Sequence, residues 1–182
     1  QYNLGIIYYE NKYINRNINE TIKYLELASK VNHIEALYNL GIIYYNGHYV
    51  PKDLDKAFMY FFQASELNHP KSQNALGEFY LKVKKNSGKA TDSFLKAANQ
   101  GNHEAQLNLA LIYYNGEYEK KDIHKAVDYL QLAAKRNSDA QNYLAQLYYN
   151  GEGLSQDIDQ SIYYFTLAEK QNNKYAQYNL RM

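Results

Sequence analysis

The 182-residue chain contains no cysteine and no tryptophan, and its charges nearly cancel, with 20 Lys+Arg against 19 Asp+Glu and a net charge of +1. Each absence excludes something. Without Cys there is no disulfide scaffold, no thiolate zinc site and no cysteine nucleophile. Without an excess of positive charge there is no basic face for a phosphate backbone, so nucleic acid is not expected as a partner. Long apolar runs are missing as well: stretches such as Leu109–Tyr114 reach about a third of the ~18 residues that a membrane span needs. What the chain has in quantity is tyrosine, with 22 residues, inside a composition that is 15% aromatic and 46% hydrophobic. That content is enough to fill a core and argues against wholesale disorder.

An internal repeat organises the chain. The stretches QYNLGIIYY, ALYNLGIIYYNG, SQNALGEFY, AQLNLALIYYNG, AQNYLAQLYYNG and AQYNLRM are variants of one motif. With offset 0 placed at Ala36, Ser72, Ala105, Ala140 and Ala176, the spacings are 36, 33, 35 and 36 residues. The first copy lacks its offset 0, so its offsets equal its residue numbers. Offset 4 is Leu4, Leu40, Leu76, Leu109, Leu144 and Leu180; offset 8 is Tyr8, Tyr44, Tyr80, Tyr113 and Tyr148. At about 100° per residue, offsets 0, 4, 7 and 8 share one helix face. Offset 5 is small (Gly5, Gly41, Gly77, Ala110, Ala145), which lets another helix come close. A turn signal follows at Asn46-Gly47, Asn115-Gly116 and Asn150-Gly151.

A second helix then starts at an N-cap, Asn17, Asp53, Asp122 or Asp157, followed by apolar or small residues at amphipathic spacing and by Ala28, Ala64, Ala97, Ala133 or Ala168. It is expected to end at Asn32, Asn68, Gly101, Asn137 and Asn172, residues that tolerate a left-handed C′ position. His33, His69 and His103 recur at the same connection and read as groups favouring a helix C-terminus rather than as a shared metal site, since packed helix pairs lie about 10 Å apart. Period-2 alternation is nowhere sustained. The chain therefore reads as all-α: about five antiparallel helix-pair repeats (1–35, 36–71, 72–104, 105–139, 140–175, and part of a sixth at 176–182) in a single array over 1–182. One pair cannot bury its apolar face alone, whereas stacked neighbours can. The third copy is three residues short, with Val83 to Gly88 outside the pattern. The chain begins and stops within a first helix and has no initiator Met, which suggests a piece of a longer array.

These residues resemble the Sel-one-like repeats, a branch of the tetratricopeptide superfamily with the pattern A-x-x-x-L-G-x-x-Y-x-x-G-x-G-V-x-x-D-x-x-K-A. Ala36-Leu40-Gly41-Tyr44-Gly47-Val50-Asp53-Lys56-Ala57 fits closely. Ala105-Leu109-Tyr113-Gly116-Asp122-Lys125-Ala126 and Ala140-Leu144-Tyr148-Gly151-Gly153-Asp157 fit as well. The second loop Gly survives only at Gly153, while Tyr13, Tyr49 and Tyr118 replace it elsewhere. The resemblance implies a right-handed α/α superhelix that holds a protein or peptide partner in a concave groove lined by the first helices. Relatives of this kind include adaptors, signalling regulators, host-interaction factors and immunity proteins that neutralise secreted toxins.

The residues themselves point to the same face. Offsets 2, 6 and 9 lie opposite the core side of the first helix. They read Tyr2, Ile6, Tyr9; Tyr38, Ile42, Tyr45; Asn74, Glu78, Leu81; Leu107, Leu111, Tyr114; and Asn142, Gln146, Tyr149. A tyrosine-edged apolar stripe suits an interface, because Tyr joins a large ring to a hydroxyl with few rotors to freeze; burial between adjacent first helices is the competing explanation. Offset 3 is Asn3, Asn39, Asn108 and Asn179, carboxamides able either to clamp a peptide backbone or to make a structural bond. The partner-binding candidates are thus Tyr38, Asn39, Ile42, Tyr45, Glu78, Leu107, Asn108, Leu111, Tyr114, Asn142, Gln146 and Tyr149. Lys82, Lys84, Lys85 and Lys89 form either a solvated loop or a contact for an acidic partner. No catalytic, phosphate-loop or dinucleotide motif is present, so neither enzyme activity nor a cofactor or metal is expected. A non-catalytic adaptor or scaffold is the leading reading. An inhibitor of one toxin-like partner is the alternative, followed by a ligand-binding or hydrolytic member. Offsets 8 and 24 account for nine tyrosines that are expected to hold the stack together.

Overall fold

Asp53, Asp122 and Asp157 sit in extended backbone, and their carboxylates accept the N–H groups of Lys56, Lys125 and Gln160, three residues on. This satisfies one orphan donor at each helix start. The computed structural model describes residues 1–3, 18–48, 50–116 and 119–181. Among them are ten α-helices and no strand: α1 (Ile18–Ser29), α2 (Ile34–Asn46), α3 (Leu54–Glu66), α4 (Pro70–Lys82), α5 (Ser87–Asn99), α6 (His103–Asn115), α7 (Ile123–Ala133), α8 (Ser138–Asn150), α9 (Ile158–Lys170) and α10 (Lys174–Asn179). The architecture is a helical solenoid of helix-pair repeats, with first helices at α2, α4, α6, α8 and α10 and second helices between them. The expectations at Leu4, Gly5, Ile6, Tyr8, Tyr9, Tyr13, Asn17, Tyr49 and Tyr118 lie outside the described residues.

The chain divides into two compact units, Gln1–Lys84 and Lys85–Met182. In the first, α2 packs on α1 and α3, and α3 packs on α4; in the second, each helix from α5 to α10 packs on the next. The small residues at the turns have a clear role. Gly47 and Gly116 cap α2 and α6 in the left-handed region, both at φ +68°. A Cβ on Gly116 would lie 2.7 Å from Lys121 Cβ, where the loop folds back.

Three expectations change. Asn32, Asn68, Gly101 and Asn172 do take left-handed φ values of 56°, 62°, 80° and 61°. Asn137 does not: its φ is −114°, and its side chain caps α8 by accepting from the Ala140 N–H. The reason is length. At the other four connections the N–H that closes the helix end reaches back five residues, as from Asn173 to the Ala168 carbonyl, whereas Asn137 reaches back only four, to Ala133. One residue fewer leaves no left-handed step. Second, the histidines belong to the starts of the following helices. His33 and His69 are N-cap residues of α2 and α4, and His103 opens α6 behind the cap Asn102. The N-terminal end of a helix disfavours a cation, the opposite of the role first read. Third, the short copy keeps two full helices. Its missing residues come from the loop, and Asn86 caps α5 by accepting from the Lys89 N–H.

In the second, fourth and fifth repeats the tyrosines of offsets 8 and 24 pair. Tyr44–Tyr60, Tyr113–Tyr129 and Tyr148–Tyr164 stack with centroids 5.9, 5.9 and 5.8 Å apart and ring planes within 12°. Lys56 and Lys125 lie 4.7 and 5.1 Å over the Tyr44 and Tyr113 rings, a cation–π arrangement. Burial, and then Glu26 and Tyr44, pushes the Tyr60 hydroxyl up to about 12. A further device went unread in the sequence: Gln73, Gln106 and Gln141, all buried, donate to the Ser65, Ala98 and Ala134 carbonyls at 3.5, 3.2 and 2.7 Å. They close the orphan acceptors at the end of the preceding helix. The signal for it was a Gln one residue after the core Ala or Ser of four copies, Ala176-Gln177 included.

Two buried hydroxyls are left without a partner among the described residues, those of Thr21 and Thr91. Thr91 in α5 is 6% exposed, and its hydroxyl has no partner among the described residues. The corresponding residue of α7 is Val127. Thr91→Val keeps the shape and removes an unpaired polar atom, so it is expected to add about 1 kcal/mol of stability. Thermal unfolding checks this, as a rise of about 2–4 °C in Tm.

Candidate functional site

The twelve candidate residues fall on two stretches of first-helix face, one in each unit. In the first unit they lie on α2 and α4 and are largely packed. Tyr45 is half-buried, with Phe61 and Phe79 at 6.3 and 6.1 Å and Lys52 Nζ 5.2 Å over its ring. Tyr38 packs on Phe61 at 6.2 Å and edge-on to His69 at 5.4 Å. His69 Nε2 lies 3.3 Å from Glu35; burial lowers the His69 pKa, with Glu35 opposing. Ile42 packs against the same core. The Asn39 carboxamide donates to the Tyr2 hydroxyl at 3.4 Å, a bond within the protein. Glu78 accepts from Asn74 and Lys82 at 3.2 and 2.7 Å, and the bond to Glu78 raises the Lys82 pKa.

In the second unit the candidates lie on α6 and α8. Leu107 and Asn108 are half-buried. Leu111 lines a small cavity of about 120 Å³ with Tyr114, Leu130, Tyr143 and Gln146 among others. The Tyr114 hydroxyl donates to Glu152 at 3.2 Å, and Lys121 Nζ stands 5.1 Å over its ring and 3.8 Å from Glu152. Burial, followed by Glu152, raises the Tyr114 pKa. Asn142 is not at the surface: it is 5% exposed and accepts from the Asn179 carboxamide at 3.1 Å. Burial between first helices, the competing explanation, therefore describes Asn142 and also Asn74, which is 4% exposed.

Tyr149 differs from the other two tyrosines described at its offset. It is 58% exposed. The position that carries Lys52 and Lys121 in the other repeats is Gln156 here, and Gln156 donates to the Tyr149 carbonyl at 2.7 Å instead of covering the ring. Beside Tyr149 is a cleft of about 300 Å³ lined by Gln146, Tyr149, Asn150, Phe165 and Asn179. Phe165, at its floor, is 7% exposed. Asn150 and Phe165 were not among the candidates, and Asn179 stood only in the row of offset-3 carboxamides; Phe165 occupies the position of Phe61 and Leu130.

Serial antiparallel helix pairs carrying a tyrosine- and amide-edged face define a helical-repeat protein of the tetratricopeptide-like class. The Sel1 repeat model matches residues 1–33, 34–69, 70–102, 103–138 and 138–173, and the chain belongs to the Sel1 repeat family. No match is found among the curated proteins. Among solved structures, a Sel1 repeat protein from Oxalobacter formigenes is 28% identical with a TM-score of 0.90, over 96% of this chain and 73% of that one. Cysteine-rich protein B of Helicobacter pylori is 29% identical with a TM-score of 0.57, over 71% of this chain and 96% of that one. The immunity protein Pa5087 of Pseudomonas aeruginosa, 17% identical with a TM-score of 0.53 over 96% of this chain and 82% of that one, shares the fold. Sel1 repeat proteins are protein-interaction modules, and their fold is typically a non-catalytic scaffold. Among the described residues no helix is long and apolar enough to cross a membrane.

Proposed function

We propose that this chain is a non-catalytic adaptor that holds a protein or peptide partner on its first-helix face. The observation that carries the reading is Tyr114: its ring lies half-buried on α6 at a small cavity lined with Leu111, Leu130, Tyr143 and Gln146. Aromatic rings that edge an apolar pocket are typical interface anchors. The reading takes residues 1–182 as one array, with each unit contributing its own stretch of face. Leu111, Tyr114 and Gln146 line the cavity in the second unit, while Tyr38, Ile42 and Tyr45 serve mainly as support in the first.

The test uses the whole chain as immobilised bait, with Tyr114→Ala/Tyr149→Ala beside the wild type. A partner retained by the wild type should be lost by the double variant, and circular dichroism should show that variant to be folded. Undiminished retention would rule out this face. A single partner bound tightly at one-to-one stoichiometry would favour the more specific role of neutralising one protein, the role that the name of the immunity protein Pa5087 of the same fold carries.

A further inference from the structure

The fourth repeat departs from its neighbours at one core position. Where the second, third and fifth repeats carry Phe61, Phe94 and Phe165, it carries Leu130. In the second repeat the Phe61 ring packs against the offset-9 tyrosine, Tyr45, at 6.3 Å. In the fourth, Leu130 and the offset-9 tyrosine, Tyr114, instead border the cavity of about 120 Å³. Two complete first helices, α6 and α8, wall that cavity. Its floor is aliphatic and buried: Ala110, Leu130 and Leu147 are 0, 3 and 4% exposed. Its rim is formed by Leu111 and Tyr114, both half-buried, and by Tyr143, which is 38% exposed. The rim departs from the repeat as well. Tyr143 stands at offset 3, where Asn39 and Asn179 donate to Tyr2 and Asn142 of the preceding copy. Tyr143 makes no such bond, and its hydroxyl has no hydrogen-bond partner among the described residues. A smaller core residue and a larger rim residue thus meet at one place.

Resting on the adaptor reading above, we propose that this cavity is the anchor pocket for the partner: it takes one branched aliphatic side chain, of valine or leucine size, from a peptide segment lying across Tyr114 and Tyr143. Three observations select that occupant. The buried walls are hydrocarbon, so a charged side chain seated on them would lose its hydration without gaining a counter-charge. Volume sets the size: a cavity of about 150 Å³ holds benzene, so one of about 120 Å³ is too small for a phenylalanine ring and suits a branched aliphatic group. At the rim, two tyrosine rings offer apolar surface to the flanking residues, and the Tyr143 hydroxyl can bond a main-chain group of the segment.

The experiment is selection of a phage-displayed random heptapeptide library on the whole chain, followed by affinity measurement of the enriched peptides. These should share one Val, Ile or Leu, and its replacement by Ala or by Phe should weaken binding about tenfold or more. Two substitutions in the protein address the pocket itself. Leu130→Phe places the ring of the other repeats in the cavity. The fifth repeat already keeps a buried phenylalanine with a buried alanine, Phe165 and Ala145, so the variant should stay folded by circular dichroism while affinity falls about tenfold or more. Tyr143→Asn restores the carboxamide of the other copies on an exposed rim and should also weaken binding, which keeps the test decisive if Leu130→Phe unfolds. Lys135→Ala, on an exposed connection, should leave affinity unchanged. A charged or aromatic consensus, affinities indifferent to a folded Leu130→Phe or to Tyr143→Asn, or no enrichment at all would overturn the proposal. The adaptor reading is tested separately: a partner captured by the bait and lost with Tyr114→Ala/Tyr149→Ala would stand even if Leu130→Phe left that partner bound.

Discussion

Phe61→Ala is expected to destabilise the first unit by about 3–5 kcal/mol, the usual cost of removing a fully buried aromatic ring. Phe61 is 2% exposed and is among the largest fully buried side chains in the chain. It lies where the tyrosines of the candidate face meet the core, with Tyr38 and Tyr45 at 6.2 and 6.3 Å. Dispersion contacts on both ring faces would be lost together, and close-packed neighbours on two helices leave little room to collapse into the void. Urea unfolding followed by circular dichroism measures it, as a drop in midpoint at unchanged slope. A loss below about 1 kcal/mol would mean that the ring is not enclosed as described.

The second large effect concerns the glycine facing that ring. A Cβ built on Gly41 would stand 2.5 Å from both Cδ1 and Cε1 of Phe61. Gly41→Ala should gain up to about 1 kcal/mol in helix propensity. It should lose about 1–3 kcal/mol to overpacking, because the buried ring has nowhere to go, so the net sign is destabilising. The repeats also indicate a compensation. The corresponding pair is Ala110 and Leu130 in the fourth repeat and Ala145 and Phe165 in the fifth, all buried, so an alanine with phenylalanine needs a wider spacing than the 2.5 Å that Gly41 leaves. Gly41→Ala should therefore be better tolerated together with Phe61→Leu than in the wild-type background. A double-mutant cycle should return a favourable coupling of about 1 kcal/mol or more. Simple additivity would show that the two positions do not press on each other.

Much of the architecture was legible because it is local and recurs. A cap at Asp53, Asp122 or Asp157 acts on a backbone N–H three residues away, and a stacked tyrosine pair sits at a constant separation of 16 residues. The same holds for the small residue at Gly41 and Ala110. Errors arose where one residue changed the path of the chain. Asn137 looks like the other connection residues in composition, but its connection is one residue shorter, so it caps the next helix instead of leaving the previous one in a left-handed turn. The histidines were assigned to the wrong helix for a similar reason, since a three- or four-residue connection places any residue near two helix ends of opposite polarity.

The candidate site was legible only in outline. Helical periodicity determined, from sequence alone, the repeat, the antiparallel pairs and the face on which offsets 2, 6 and 9 fall, because a helix fixes direction at 100° per residue whatever packs around it. It could not determine which residues on that face are left open. That was decided by side chains returning from other parts of the fold: Lys52 and Lys121 reaching back across their loops to Tyr45 and Tyr114, Asn179 taking up Asn142, and Phe61 and Phe79 supporting Tyr45. Exposure depends on what the tertiary structure brings alongside each position, and so only the folded chain shows which side chains cover Tyr45 and Tyr114.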